Sequence, residues 1–75
     1  MISTGEIRTL IERGEIIEDY PEDARGHSVL LAGVGDGGRA IHVVCSPKTD
    51  YVAVITAYLP DPGEWSADSR ERKRK

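Results

Sequence analysis

The sequence has a single cysteine, Cys45, and no long run of apolar residues. One cysteine cannot form an internal disulfide, which excludes the cross-linked scaffold of small secreted domains. One cysteine and two histidines match no closed structural zinc site. The longest apolar runs, such as Val29 to Ala32, fall far short of the ~20 residues that a transmembrane helix needs, and no signal peptide is recognisable. We therefore expect no membrane association, no metal or other cofactor, and a cytoplasmic location.

The chain length of 75 residues allows one domain and one core. A core of this size seldom supplies more than about 3–5 kcal/mol of stability. Extra burial in a homodimer or in a complex with another protein is therefore expected. A truncated remnant that folds only as a dimer is one form of this hypothesis, and it predicts a melting temperature that depends on concentration.

The charge is distributed unevenly along the chain. The net charge is −3 and the last six residues, RERKRK, carry +4, so residues 1–68 carry −7. We predict a single α+β domain over residues 1–68 and a basic tail over 69–75. The tail is either a solvated end or an arm that contacts phosphate or an acidic partner, and the acidic body disfavours a broad nucleic-acid surface.

The first residues carry the signals of a helix start. Ser3 and Glu6 have the S-x-x-E spacing of a capping box, and Ile7, Leu10 and Ile11 recur at helical spacing. Gly14 is the residue expected just past the helix end. The pattern predicts a helix over residues 4–13 with one apolar face that packs on the rest of the domain.

Four short β-rich stretches follow this helix. The first is acidic, as suits a soluble sheet edge, and its acids do not have the spacing of an oxygen-ligand cation site. The second is apolar on both faces, and the Gly-Asp-Gly-Gly run after it predicts a hairpin turn, since a phosphate-binding loop would lead into a helix. Gly26, before the second stretch, is expected at a positive φ. These patterns predict four antiparallel strands at residues 15–20, 27–34, 39–46 and 51–59.

Alternation along the last two strands separates an apolar face from a more polar one. Cys45 falls on the apolar face and is interpreted as a small buried hydrophobe. A register slip of one residue would reverse the faces of one strand. The apolar face, expected against the helix, comprises Ile41, Val43, Cys45, Ala53, Ile55, Ala57 and Leu59. The other face carries His42, Thr56 and Tyr58.

The stretch from Leu59 to Trp65 ends the sheet and favours a short C-terminal helix or tail. Asp61 has the position of a helix cap, Pro62 that of the first helical residue, and Glu64 would complete a capping box. The ring of Trp65, the only tryptophan, is expected to lie over the sheet edge, with base stacking as the alternative.

Several motifs in a fixed order resemble a known family. They are IIEDYPEDARG at 16–26, S-x-L-L-x-G at 28–33, G-R-x-I-H-V-V at 38–44, V-I-T-x-Y-x-P-D-P at 54–62, and Trp65 followed by a basic end. This order and spacing resemble the small prokaryotic domain-of-unknown-function 4258 family over about residues 5–75. The resemblance implies the outline of the RelE, barnase and colicin-type ribonuclease toxins, a helix packed on an antiparallel sheet. It also implies RNA as substrate and, as partner, a small antitoxin with a zinc finger and a helix-turn-helix.

Longer members of the family begin with an additional helix that bears a histidine and arginines, and this chain is expected to start after it. If those residues take part in cleavage, the resemblance implies an attenuated or inactive member. Metal-independent RNA cleavage needs a base, an acid and a cation for the phosphate charge. The resemblance leaves His42, Arg39 and Tyr58 as candidate catalytic residues and Arg25 and Thr56 as candidate substrate-binding residues.

Each of these side chains also has a structural interpretation. His42 could be a satisfied sheet histidine, and Arg39 a turn residue paired with acids. The sequence therefore supports two functional hypotheses. The first is a toxin-like, metal-independent ribonuclease of a toxin–antitoxin pair. The second is a non-catalytic module that recruits a protein partner through an exposed sheet edge or an acidic loop.

Overall fold

The computed structural model describes residues 2–24, 26–61, 63 and 65. Helix α1 is followed by four strands that form one antiparallel sheet in the order β1-β2-β3-β4. The predicted helix and four-stranded antiparallel sheet are therefore confirmed. The elements are α1 (Thr4–Arg13), β1 (Glu15–Tyr20), β2 (Ser28–Val34), β3 (Ala40–Pro47) and β4 (Val52–Tyr58).

Helix α1 begins with the predicted capping box. The Ser3 hydroxyl accepts a hydrogen bond from the Glu6 amide at 3.1 Å, and the Ser3 amide donates to Oε1 of Glu6 at 3.0 Å. Leu10 is fully buried, and Ile7 and Ile11 flank it on the same core. The helix thus covers one face of the sheet, as its apolar stripe predicts. The buried core consists of Leu10, Val29, Leu31, Ile41, Val43 and Cys45.

The turn between β2 and β3 is the predicted glycine-rich hairpin connection. The Gly35 amide donates to the Arg39 carbonyl at 2.8 Å, and the Gly38 amide donates to the Gly35 carbonyl at 3.1 Å. Gly37 and Gly38 have φ values of 75° and 80°, in the region that favours glycine. Gly26 has a φ of 97°, which confirms the positive φ expected there.

The pairing of β4 with β3 contains an irregularity that the alternation pattern does not reveal. Val44 pairs with Thr56 but Cys45 pairs with Val54, so Ile55 is the extra residue of a bulge. Directly paired residues project to the same face of the sheet, and Ala53 pairs with Ser46. Ser46 follows Cys45 in β3, and consecutive residues of a strand project to opposite faces. The prediction that Ala53 shares a face with Cys45 is therefore wrong.

Leu59 was also expected in the core, and this prediction is wrong. Strand β4 ends at Tyr58, and Leu59 beyond it is 51% exposed. Since Leu59 has left the strand, the period-two alternation no longer determines where its side chain points.

On the face of the sheet opposite α1, the residues around His42 are also buried. Leu30, Ala32 and His42 have almost no exposed surface, and Trp65 is buried as well. No helix among the described residues is long and apolar enough to span a membrane. The predicted tail at 69–75 and the expected helical positions of Pro62 and Glu64 lie outside the described residues. The division into residues 1–68 and 69–75 stays a prediction.

Candidate functional site

His42 lies in the middle of the sheet and is completely buried. It is paired with Ala32 of β2 and with Tyr58 of β4, and its exposed fraction is 0%. Its Nδ1 atom lies 3.3 Å from the Tyr58 hydroxyl, and the two rings meet edge to face with centroids 5.4 Å apart. The structure thus brings together two of the three predicted catalytic residues.

Trp65 covers the imidazole of His42. The two ring centroids are 4.4 Å apart at an interplanar angle of 87°, and Trp65 is only 2% exposed. The ring was expected over the sheet edge, and this position is wrong, because it lies over His42 in the interior strand β3. The burial leaves no ring surface for stacking on a base in this conformation, so the base-stacking alternative is not supported.

A short turn holds Trp65 in this position. The Trp65 amide donates to the Asp61 carbonyl at 3.1 Å, and the Gly63 amide donates to Oδ1 of Asp61 at 2.7 Å. The Asp61 carboxylate therefore satisfies an amide at the start of the turn, as a helix cap does. His42 is sealed from solvent by a ring that the chain itself supplies.

Among the described members of the predicted set, Thr56 is the exposed one. It is paired with Val44, two residues along from the His42–Tyr58 pair, and so projects to the same face as both of these residues. Only Thr56 of these three is exposed enough for a molecule in solution to reach it readily. The fifth candidate, Arg25, lies outside the described residues.

Arg39 is on the helix side of the sheet, away from His42. Its Nη2 atom lies 2.9 Å from Oε1 of Glu6, and its Nε atom lies 3.4 Å from Oε2, which is a two-pronged ion pair. The Glu6 side chain is 4% exposed and that of Arg39 is 35% exposed. The interpretation of Arg39 as a turn residue paired with an acid is therefore the one that the geometry supports.

Glu6 is the centre of a network that sequence reasoning missed. Besides the Arg39 guanidinium, its carboxylate accepts hydrogen bonds from the Ser3 amide at 3.0 Å and the Asp36 amide at 2.8 Å. The hydrogen bond from Arg39, followed by those from the two amides, lowers the pKa of Glu6 from an ordinary 4.5 to about 2. The same pairing with Glu6 raises the pKa of Arg39. This network ties the start of α1 to the β2–β3 hairpin.

The Glu6→Gln variant is expected to lose stability relative to the native chain at neutral pH, with a difference that shrinks in acid. The folded-state pKa of Glu6 is depressed, so the contribution of its charge is complete above about pH 4.5 and is lost as pH falls towards 2. Urea unfolding midpoints of both chains between pH 7 and pH 2 measure this difference. Glu12→Gln, on the exposed surface of the same helix, is the matched control. A gap between native and Glu6→Gln that stays constant down to pH 2 would contradict this role of Glu6.

The open cavity beside this network does not lead to His42. It has a volume of about 360 Å³ and is lined by the first turns of α1 and by the β2–β3 hairpin, including Thr9, Val34 and Asp36. Since α1 and His42 occupy opposite faces of the sheet, this cavity gives no access to the imidazole.

Cys45 is buried on the helix side of the sheet, as predicted. Burial raises the pKa of its thiol, which favours the protonated and less reactive form. In the part of the chain that the structure describes, no group of three or more His, Cys, Asp or Glu side chains could hold a metal ion.

Comparison with known proteins identifies the family of this chain. The family model described as "Domain of unknown function (DUF4258)" matches residues 1–59. Neither the curated proteins nor the solved structures gave a match. The matched stretch contains α1 and all four strands. It also contains His42 and Arg39. The chain belongs to the DUF4258 family.

Proposed function

We propose that this domain is a toxin-derived protein-binding module that does not cleave RNA in the conformation described. The burial of His42, with 0% exposure beneath Trp65, carries this proposal. A general base must approach the proton that it removes to about 2.6–3.2 Å, directly or through one water. An imidazole enclosed by Tyr58 and Trp65 cannot approach a ribose hydroxyl in this way.

The position of Arg39 supports the same conclusion. RNA cleavage without a metal needs a cation that stabilises the charge developing on the phosphate. The guanidinium of Arg39 is instead bound to Glu6, on the face of the sheet opposite His42. A base and a cation on opposite faces of one sheet cannot act on the same phosphate.

The toxin-derived part of the proposal rests on the family resemblance. One helix packed on a four-stranded antiparallel sheet is compatible with the RelE-like or barnase-like outline that the resemblance implies. In this proposal the partner is a protein, of which a zinc-finger and helix-turn-helix antitoxin is the expected example. The proposed location is the cytoplasm.

Expression in a bacterial host tests the absence of cleavage. We expect normal growth and intact bulk mRNA when the soluble chain is induced, and the same result for His42→Ala. Soluble expression is checked on the same cultures, and circular dichroism of the purified variant checks its fold. Growth arrest and message loss with the native chain, both abolished by a folded His42→Ala variant, would refute the proposal.

A second candidate function is a ribonuclease that becomes active when the Trp65 ring moves away from His42. The contact between His42 and Tyr58, with Thr56 exposed on the same face, favours this alternative. Histidine can act as base or acid near neutral pH, and a tyrosine hydroxyl can donate a proton. Under this alternative, Asp61→Ala, which removes the carboxylate that accepts from the Gly63 amide in the turn that holds Trp65, arrests growth and the double variant with His42→Ala does not. Harmless expression of an Asp61→Ala variant that circular dichroism shows to be folded would favour the non-cleaving module.

A further inference from the structure

We propose that two copies of this chain pair through the first half of β4, Val52–Val54, and join their sheets across a two-fold axis. This inference concerns self-association and does not depend on whether His42 can act on RNA. The partner that binds this edge of β4 is a second copy of the chain. Three features of the chain support this pairing: the position of β4 at the edge of the sheet, the exposure of its apolar side chains, and the distribution of charge between the two edge strands.

Strand β4 is at the edge of the sheet and exposes apolar side chains. Its only neighbour among the described strands is β3. Val52 is 39% exposed, Val54 is 45% exposed and the preceding Tyr51 is 65% exposed. These three account for half of the six large hydrophobic side chains exposed in the described part of the chain. An exposed apolar edge strand of this kind is a template for pairing with another strand.

The absence of charge on β4 favours a second copy as the occupant. No charged residue occurs from Tyr51 to Pro60, although the domain as a whole is acidic. In a two-fold antiparallel pair each strand meets an identical strand, and like charges that face each other destabilise the pair. Two copies of β4 can therefore pair without the repulsion that the rest of the acidic surface would cause.

The opposite edge of the sheet has the features that prevent pairing. Strand β1 carries Glu15, Glu18 and Asp19, and its pairing with β2 is irregular between Ile16 and Glu18. Charged side chains on an edge strand are a means by which sheets avoid association. Pairing of β1 in one copy with β4 in the next would also produce an open chain of molecules, whereas pairing of β4 with β4 closes as a dimer.

The bulge in β4 limits the pairing segment. Ile55 interrupts the regular register with β3, and the turn that holds Trp65 follows the other end of the strand. The regular and apolar part of the edge is therefore Val52–Val54. An interface of this size is small and predicts a dimer that dissociates on dilution.

Paired charge variants at Val54 test the proposal. We expect the mass from sedimentation to rise from monomer to dimer as the concentration of the native chain increases. Val54→Lys and Val54→Glu should each remain monomeric over the range where the native chain dimerises. An equimolar mixture of the two should recover the dimer, because the two positions 54 are diagonal neighbours across the two-fold axis, within reach of long side chains of opposite charge. Ile16→Lys on β1, where Ile16 is 60% exposed, should dimerise like the native chain.

The outcomes separate this proposal from the alternatives. A native chain that is monomeric at every concentration would overturn the proposal. It would do so even if Val54→Lys impaired the binding of a different protein. Loss of the dimer in Ile16→Lys but not in Val54→Lys would place the contact on β1 and also overturn it. Circular dichroism of each variant ensures that a monomeric result comes from a folded chain. Growth and mRNA assays of the same variants test the proposed function separately.

Discussion

The Gly35→Ala variant is expected to unfold at a much lower urea concentration than the native chain. A Cβ atom at position 35 would lie 2.0 Å from Oε2 of Glu6 and 2.3 Å from Cδ1 of Ile41. Neither atom can move aside easily, because Ile41 is fully buried and Glu6 is held by Arg39 and by two backbone amides. Overpacking of this kind costs about 1–3 kcal/mol, and displacement of Glu6 would also break its hydrogen bonds.

Gly5→Ala is the matched control for this change, since it adds the same methyl group. Gly5 is exposed in α1, and a Cβ there would meet only Ser3 Oγ at 3.9 Å. Alanine is favoured over glycine in a helix by about 0.5–1 kcal/mol, so this variant should be slightly more stable than the native chain. A native midpoint for Gly35→Ala would show that the hairpin does not pack against Glu6 as described.

The Trp65→Ala variant is expected to lose most of the stability of the domain. Truncation of a buried tryptophan to alanine typically costs about 3–5 kcal/mol. Trp65 is 2% exposed and lies edge to face on His42. A domain of this size has only about 3–5 kcal/mol in total from its core, so the variant should be largely or wholly unfolded.

Two further variants give the Trp65 measurement its controls. Trp65→Phe keeps an aromatic ring over His42 and should lose less stability in the same urea titration. Tyr51→Ala removes an aromatic ring that is 65% exposed and should leave the midpoint nearly unchanged. A Trp65→Ala midpoint equal to that of the native chain would contradict the burial of this ring.

Local sequence signals account for the elements of the fold. The capping box and apolar spacing predict α1 at Thr4–Arg13, and the glycine-rich run predicts the hairpin between β2 and β3. Each of these signals lies within a few residues of the structure that it determines. The bulge at Ile55 has no such local signal. One inserted residue leaves the β-rich composition of the strand unchanged, so the composition does not predict the bulge.

The candidate site was less predictable because it depends on distant contacts. Alternation correctly separated His42 from the helix face, but it does not show what covers the opposite face. That cover is Trp65, which is 23 positions further along the chain and beyond the family-matched residues 1–59. The partner of Arg39 is likewise distant, since Glu6 lies 33 positions before it. Sequence patterns identified Trp65 and Arg39 as residues of interest but did not show which side chains they contact.

The burial of His42 beneath Trp65 can be tested by chemical modification of the two histidines. Diethyl pyrocarbonate acylates accessible imidazoles, and His27 has a side chain that is 55% exposed, whereas His42 has no exposed surface. Trypsin places His27 in the peptide 26–39 and His42 in the peptide 40–48, so mass spectrometry distinguishes them. In the folded native chain we predict modification of His27 with protection of His42, and modification of both after unfolding in urea. Equal modification of both histidines in the folded chain would show that Trp65 does not cover His42.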